Sequence, residues 1–521
     1  MIFYVILIIS LAYACILLRR NRHKSLRALP TPPGSRFFFG HYGNLGPKPH
    51  ETFTRWKEEL GSDIYSIKMG QTNWVILNSD KAIGELIQKR GAIYSSRQDS
   101  ELIFRILSRG KSFGSSPYND HYRKLRAIVA RLLSVHKIAS FFPIIDTCTR
   151  DLLRDLLYIP NKEQGELSKG LAIFPRSYIR RTTMNIIMNI LFGRKTKGIN
   201  DPMFKRIDKL VMRVSELASI SGRSMDFFPI LRYVPNYSQK KEAYALRDET
   251  ESAYDGLFQE IKNDKNKNPC FIRDLWERRE KEGLDELDVI HLSSNLIFAG
   301  TDTVSGSITW LLAVLANNPQ IQAEAHQELD KIVGRTRLPN YSDTLALPYT
   351  RSIIREGQRY CPPTFAAVPH YIEQDDEYMG YHIPKDSFVI INNHATSFDP
   401  TRHPNPYVFD PKRWLNVNLT SAALANGPQE KRDHFSFGGG RRTCVGINLA
   451  ECELFVILSR LLWAFNIENA SPLGKDNQPM PIDLGKAIVG LTLWPMEYHV
   501  RFLPRGDWVK SLLIDEIVRN P

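Results

Sequence analysis

Ten residues, Phe437-Gly438-Gly439-Gly440-Arg441-Arg442-Thr443-Cys444-Val445-Gly446, constrain this 521-residue chain more than any other stretch. A glycine-rich turn delivers one cysteine to the start of an apolar, helix-patterned run from Ile447 to Phe465. A thiol just ahead of a helix feels the positive end of the helix dipole and nearby free amides, and both favour the thiolate that binds metal. Gly438, Gly439 and Gly440 let the backbone fold tightly and approach a flat ligand closely. Arg441 and Arg442 add cationic donors suited to carboxylates. A zinc site would need partners at short spacing, but the next cysteine is Cys452 and no Cys-x-x-Cys occurs. A phosphate loop of the Gly-x-x-x-x-Gly-Lys-Ser/Thr type is also absent. The other cysteines, Cys15, Cys148, Cys270, Cys361 and Cys452, read as small buried hydrophobes.

Thiolate, close backbone and arginine together suit a haem whose iron is held by cysteine and whose propionates need charge partners. The window closely resembles the haem-binding signature of the cytochrome P450 superfamily, Phe-x-x-Gly-x-Arg-x-Cys-x-Gly, matched at Phe437, Gly440, Arg442, Cys444 and Gly446. The resemblance extends over roughly Pro30 to Pro504. It implies haem b with Cys444 as the axial iron ligand. It also implies a mainly α fold with small β-sheets, the haem lying between a long central helix and the helix after the Cys loop.

The apolar run Ile2–Leu18 carries no charge and is followed by Arg19-Arg20-Asn21-Arg22-His23-Lys24. At ~1.5 Å per residue it is just long enough for a thin bilayer. A cleaved signal peptide is the rival, with Ala12-Tyr13-Ala14 as its cleavage pattern, but no basic residue precedes the run. The basic flank keeps the chain beyond it in the cytosol. The expected organisation is therefore a transmembrane anchor over residues 1–18, a basic and proline-rich hinge over 19–35, and a catalytic domain over 36–521. Microsomal members of the family show the same order, which implies the endoplasmic reticulum membrane. The net charge of +13 comes from scattered residues with no nucleic-acid motif, so an acidic protein partner or an anionic membrane explains it better. Six dispersed cysteines favour a reducing compartment.

Asp63–Leu77 alternates around Gly70-Gln71-Thr72-Asn73 and reads as a hairpin. From Ala127 to Ala316 the pattern is largely helical. Its longest signal runs from about Asp285 to Ala316 and stops at Asn317-Asn318-Pro319. Short strands are expected in Phe365–Tyr371, Tyr378–Ile383 and Phe388–Asn392.

The long helix carries Ala299-Gly300-Thr301-Asp302-Thr303-Val304. The alternative reading is a buried threonine bonding its own helix and an acid capped by solvent; beside a haem, an acid next to a hydroxyl can relay protons. The segment is similar to the family's oxygen-activation motif, which implies catalytic roles for Asp302 and Thr303; Val304 stands where the family often has a second hydroxyl. Glu356 and Arg359, three apart on a helix, would alone read as a solvated bridge. The resemblance instead implies a buried structural triad with Arg413, from Phe409-Asp-Pro-Lys-Arg413-Trp414. It further implies propionate contacts from Tyr122, which replaces the family's tryptophan, from Arg126 and from His370. A surface histidine is the alternative reading for His370.

By the same resemblance, the substrate pocket is lined by the loop from Ile103 to Phe113, by Leu296–Thr303, Phe365–Val368 and Ile488–Leu491. These residues are mostly apolar. The function implied is that of a monooxygenase inserting one oxygen atom into a hydrophobic small molecule, in the style of fungal secondary metabolism. NADPH and flavins would act through a cytochrome P450 reductase, with cytochrome b5 as a second donor. Two other classes share the haem: an isomerase or dehydratase working without O2, and a non-catalytic haem-binding membrane protein.

Overall fold

A computed structural model describes residues 26–158, 171–265, 268–474 and 477–519. The proposed anchor and its basic flank through Lys24 lie outside the described residues. The described part of the proline-rich stretch is laid along the body. Arg27–Ala28 pairs in parallel with Tyr381–His382, the Ser66 amide donates to the Pro30 carbonyl at 2.8 Å, and His41 bonds the Pro32 carbonyl at 3.0 Å.

Helices make up most of the molecule, with small sheets beside them. The helix Glu286–Asn317 is the axis. Its start is fixed reciprocally: Asp285 accepts the Asp288 amide at 2.8 Å and Asp288 accepts the Asp285 amide at 2.9 Å. Both carboxylates also lie at the positive end of the helix. Its end is set by Pro319, which has no amide to continue the ladder. Among the described residues this is the one helix long and apolar enough to cross a membrane, but 78% of its apolar window is buried in the protein. It is a core helix. Gly300 in its interior costs about 1 kcal/mol relative to alanine. The compensation is packing: a Cβ there would stand 3.4 Å from Ile187 of the helix Arg176–Phe192.

The largest sheet runs in the order Ile64–Met69, Thr72–Leu77, Phe388–Ile391, His370–Tyr371. Its first two strands form the expected hairpin, turning on Gly70-Gln71 with Gly70 at φ +56°. The strand expected over Phe365–Tyr371 shrinks to its last two residues. The Val368 and Pro369 carbonyls are taken by Arg97 at 2.8 and 2.7 Å, and the Phe365 carbonyl by the Asn393 amide at 3.0 Å. Tyr378–Ile383 becomes a tight hairpin of two three-residue strands, Asp376–Tyr378 and Tyr381–Ile383.

Behind the Cys loop the helix Pro348–Tyr360 buries Glu356 and Arg359 completely. Arg359 grips Glu356 with two bonds, of 2.8 and 2.7 Å. Arg413 approaches the same carboxylate at 3.3 Å, the Trp414 indole donates to it at 2.8 Å, and the Asp410 amide at 3.0 Å. Arg359 spends its remaining donors on the Ser397 and Pro406 carbonyls, each at 2.8 Å. Replacing Glu356 by alanine strands the Arg359 charge in the interior, and losing one partner of a buried pair costs roughly 3–5 kcal/mol. We expect Glu356→Ala to give poor yield and a sharply lowered melting temperature; wild-type yield and melting would contradict the burial described.

Candidate active site

The Cys loop closes on itself before its helix starts. The Gly438 amide donates to the Phe435 carbonyl at 2.8 Å, and the Cys444 amide donates to the Phe437 carbonyl at 2.9 Å. Gly438 and Gly440 both take left-handed backbone, at φ +66° and +61°. Gly440 also lies against the segment Gly84–Lys89, where a Cβ would meet the Ile87 carbonyl oxygen at 2.1 Å. Gly446 caps the helix Ile447–Ala464, and a Cβ on it would stand 3.8 Å from the Cys444 sulfur. The Phe437 ring packs 5.7 Å from that of His434.

Cys444 is open to solvent although protein surrounds it, so its thiol faces an interior cleft. The expected thiolate preference is not what the bare chain delivers. Burial pushes the Cys444 thiol up, and the Gly446 amide and the Arg126 charge only partly offset this. Burial outweighs the helix end; a coordinated metal ion would reverse the balance, because coordination deprotonates a thiol.

A second interior surface lies on the long helix, which packs against the Cys-loop helix. Ala299 is exposed and Thr303 half-buried in the middle of an otherwise buried helix, four residues apart and so on one face. The Thr303 hydroxyl donates back to the Ala299 carbonyl at 2.8 Å. Asp302 faces elsewhere. It is buried, and Arg180 Nη1 donates to it at 2.6 Å while the Thr492 hydroxyl donates to its other oxygen. Adjacent in sequence, Asp302 and Thr303 are expected to work together as a relay; the structure sends their side chains to different partners.

Cationic donors gather beside the Cys loop. Arg126 donates to the Thr443 carbonyl at 2.9 Å and to the Tyr122 hydroxyl at 3.2 Å. Arg442 donates to the Ser95 and Ser116 carbonyls at 2.7 and 2.6 Å, and its guanidinium lies 3.5 Å from the Tyr122 ring centre. His370 is buried, not on the surface, and its Nδ1 bonds the Tyr94 carbonyl at 2.7 Å. Burial and the neighbouring Arg97 charge push its pKa well below the usual value. Arg97 is the residue sequence reasoning missed. It sits in Ser95-Ser96-Arg97-Gln98, which reads as an ordinary polar turn. Yet it is buried, its Nε has no partner, and burial and Arg442 depress its pKa.

Arg97, Arg126 and Arg442 make no ion pair with a carboxylate among the described residues. Packed cations with an orphaned N–H call for an anion from outside the chain. A group carrying iron and two carboxylates matches this donor set: one thiol for the metal, and arginines with His370 for the acid groups. The residues fit a haem.

Comparison with known proteins agrees. The family profile described as Cytochrome P450 matches residues 30–492. The cytochrome P450 monooxygenase virE of Hypocrea virens is 32% identical over 479 residues, covering 89% of this chain and 84% of that protein. The cytochrome P450 monooxygenase 58 of Postia placenta is 30% identical over 516 residues, covering 97% and 95%. A zebra fish cytochrome P450 solved with progesterone shares the fold, with a TM-score of 0.72 at 22% identity over 88% of this chain and 99% of that one.

The two left-handed glycines give a test of the loop. Left-handed backbone costs alanine roughly 1–2 kcal/mol at either position. Gly438→Ala meets nothing closer than the Arg442 carbonyl at 3.7 Å and should lose only about that much. Gly440→Ala adds a backbone collision that no side-chain rotation relieves, so its melting temperature and haem content should fall well below those of Gly438→Ala. Equal behaviour of the two variants would contradict the packing against Ile87.

Proposed function

The chain belongs to the cytochrome P450 family, and from that premise we propose that it is a haem-thiolate monooxygenase inserting one oxygen atom of O2 into a hydrophobic small molecule. The observation that carries this is an exposed thiol, Cys444, in an interior cleft beside arginines that no carboxylate pairs among the described residues, one of them, Arg97, buried with an orphaned Nε. Cys444 would hold the iron, with Arg97, Arg126, Arg442 and His370 holding the propionates and Tyr122 orienting Arg126 and Arg442. When bound, the haem supplies the redox chemistry of oxygen, made effective by an electron-rich sulfur ligand.

Thr303 Oγ1 is the hydroxyl assigned to proton delivery, because it lies on the accessible face. Asp302 supports it only if its carboxylate gives up Arg180 and Thr492. Asp302→Asn therefore also removes half of a buried ion pair, and Thr303→Ala is the cleaner probe.

Electrons would come from an NADPH-dependent flavoprotein reductase, with cytochrome b5 as a second donor; the net charge of +13 supports an acidic partner. The run Ile2–Leu18 and the basic residues after it support a single-pass anchor in the endoplasmic reticulum membrane with the catalytic domain in the cytosol. Similarity to fungal monooxygenases supports a substrate from secondary metabolism.

Two variants test the reading. Cys444→Ser should lose the absorption band that a sulfur-ligated haem gives when reduced with carbon monoxide, and a variant keeping it would remove the central assignment. Thr303→Ala should keep that band but release hydrogen peroxide in place of product, since a placed proton donor contributes roughly 10²-fold or more. Wild-type yield of product per NADPH, with a substrate found by spectral screening, would dismiss the Thr303 assignment.

A further inference from the structure

The segment from Ser108 to Ser116, leading into the helix Asp120–Leu132, carries no regular structure of its own. It is held instead by the long helix with its cap, and by Glu251 of the helix Ser238–Asn263. Lys111 pairs with Asp285 at 2.6 Å and with Asp288 at 3.1 Å. Arg109 makes two bonds to Glu251, of 2.8 and 3.1 Å, and His291 meets the same carboxylate at 3.2 Å. One turn further, a single oxygen gathers three donors. Asn295 Oδ1 accepts from the Ser112 hydroxyl at 2.9 Å, the Phe113 amide at 3.1 Å and the Gly114 amide at 3.3 Å. The other end of the side chain is fixed too, since Asn295 Nδ2 donates to the His291 carbonyl at 2.9 Å.

The ion pairs of Arg109 and Lys111 are partly exposed, so each holds weakly. Asn295 differs because it takes two successive backbone amides, fixing where Phe113 points. The Phe113 ring lies nearly parallel to that of Tyr122, with centroids 5.5 Å apart and an interplanar angle of 15°. Tyr122 in turn carries the Arg442 guanidinium. Asn295, Ala299 and Thr303 follow at steps of four, which places them along one stripe of the long helix.

We propose that Asn295 is a positioning residue of the active site: it clasps the 112–114 backbone to the long helix, seats Phe113 on Tyr122, and so holds shut the wall between the Cys444 cleft and solvent. It touches neither the metal ligand nor Thr303. Its effect falls on entry and retention of small molecules, and on exclusion of water, through the loop. The clasp deepens the monooxygenase reading and rests on it for its consequence. The clasp itself is measurable without haem chemistry.

The experiment uses the full-length chain in detergent, with Asn295→Ala and Asn295→Asp compared to wild type. Loss of the shared acceptor should speed hydrogen exchange in peptides covering Ser112–Ser115 by on the order of tenfold, with faster tryptic cutting after Arg109 and Lys111. Asn295→Asp keeps an acceptor oxygen and should retain most of the protection. In haem-loaded protein, phenylimidazole should bind and leave the iron several-fold faster in Asn295→Ala, with the reduced carbon monoxide spectrum unchanged. Should Asn295→Ala fail to fold, Ser112→Ala removes one donor without touching the helix and should shift exchange in the same direction. Unchanged loop exchange in Asn295→Ala or Ser112→Ala would overturn the clasp. Faster loop exchange with unaltered phenylimidazole kinetics would overturn its role in access. A lost carbon monoxide band in wild type would instead remove the monooxygenase reading and leave the clasp to be judged by exchange alone.

Discussion

One buried carboxylate organises the support for the Cys loop. Glu356 accepts from Arg359, Arg413, Trp414 and the Asp410 amide, so a single side chain joins the helix Pro348–Tyr360 to the irregular chain leading toward Cys444. The same helix reaches the loop directly, through the Ser436 hydroxyl on the Gln358 carbonyl at 2.7 Å. A buried ion pair of this kind contributes little net stability over a well-packed apolar substitute. Its value is directional. Hydrophobic contact would hold these irregular segments near the helix, whereas a carboxylate with five directed hydrogen bonds holds them in one arrangement, and that arrangement places the thiol.

Two electrostatic stresses remain in the placed loop. Burial raises the Cys444 thiol, and Arg97, Arg126 and Arg442 crowd positive charge together, which with burial holds His370 well below its usual pKa. Both oppose folding of the bare chain, and a ligand that is a metal at its centre and an acid at its edge relieves both. By linkage, whatever relieves them in the folded state alone adds its binding free energy to stability. Relief of the strain around Cys444 is therefore one contribution to the affinity for such a ligand.

Features that were legible in the sequence share a local origin. Glu356 and Arg359 stand three apart on one helix, Cys444 follows its glycines within a few residues, and the long helix carries its own start and stop at Asp285 and Pro319. What stayed hidden depends on distant partners. Asn295 meets Phe113 across 182 residues, and Asp302 meets Arg180 across 122. Nothing near Arg97 in the sequence reveals that the Val368 and Pro369 carbonyls will receive it. That capture also explains why the strand foreseen from Phe365 begins only at His370.

The separation of Asp302 from Thr303 follows from helix geometry. Successive residues on an α-helix point about 100° apart, so neighbours in sequence cannot both face one narrow cleft. Thr303 lies only about 40° round the helix from Ala299, four residues earlier, so that face looks into the cleft, while Asn295 a turn further meets the loop. Asp302 is turned toward the helix Arg176–Phe192 and the turn at Thr492, where Arg180 also lies over the Trp494 ring at 4.9 Å. A carboxylate drawn toward a buried arginine and a threonine is directed away from Thr303, and has to swing from those partners before it can pass a proton there. The hydroxyl on that face is thus the group turned to the cleft, and the acid beside it is held elsewhere by a bond that the helix alone could never form.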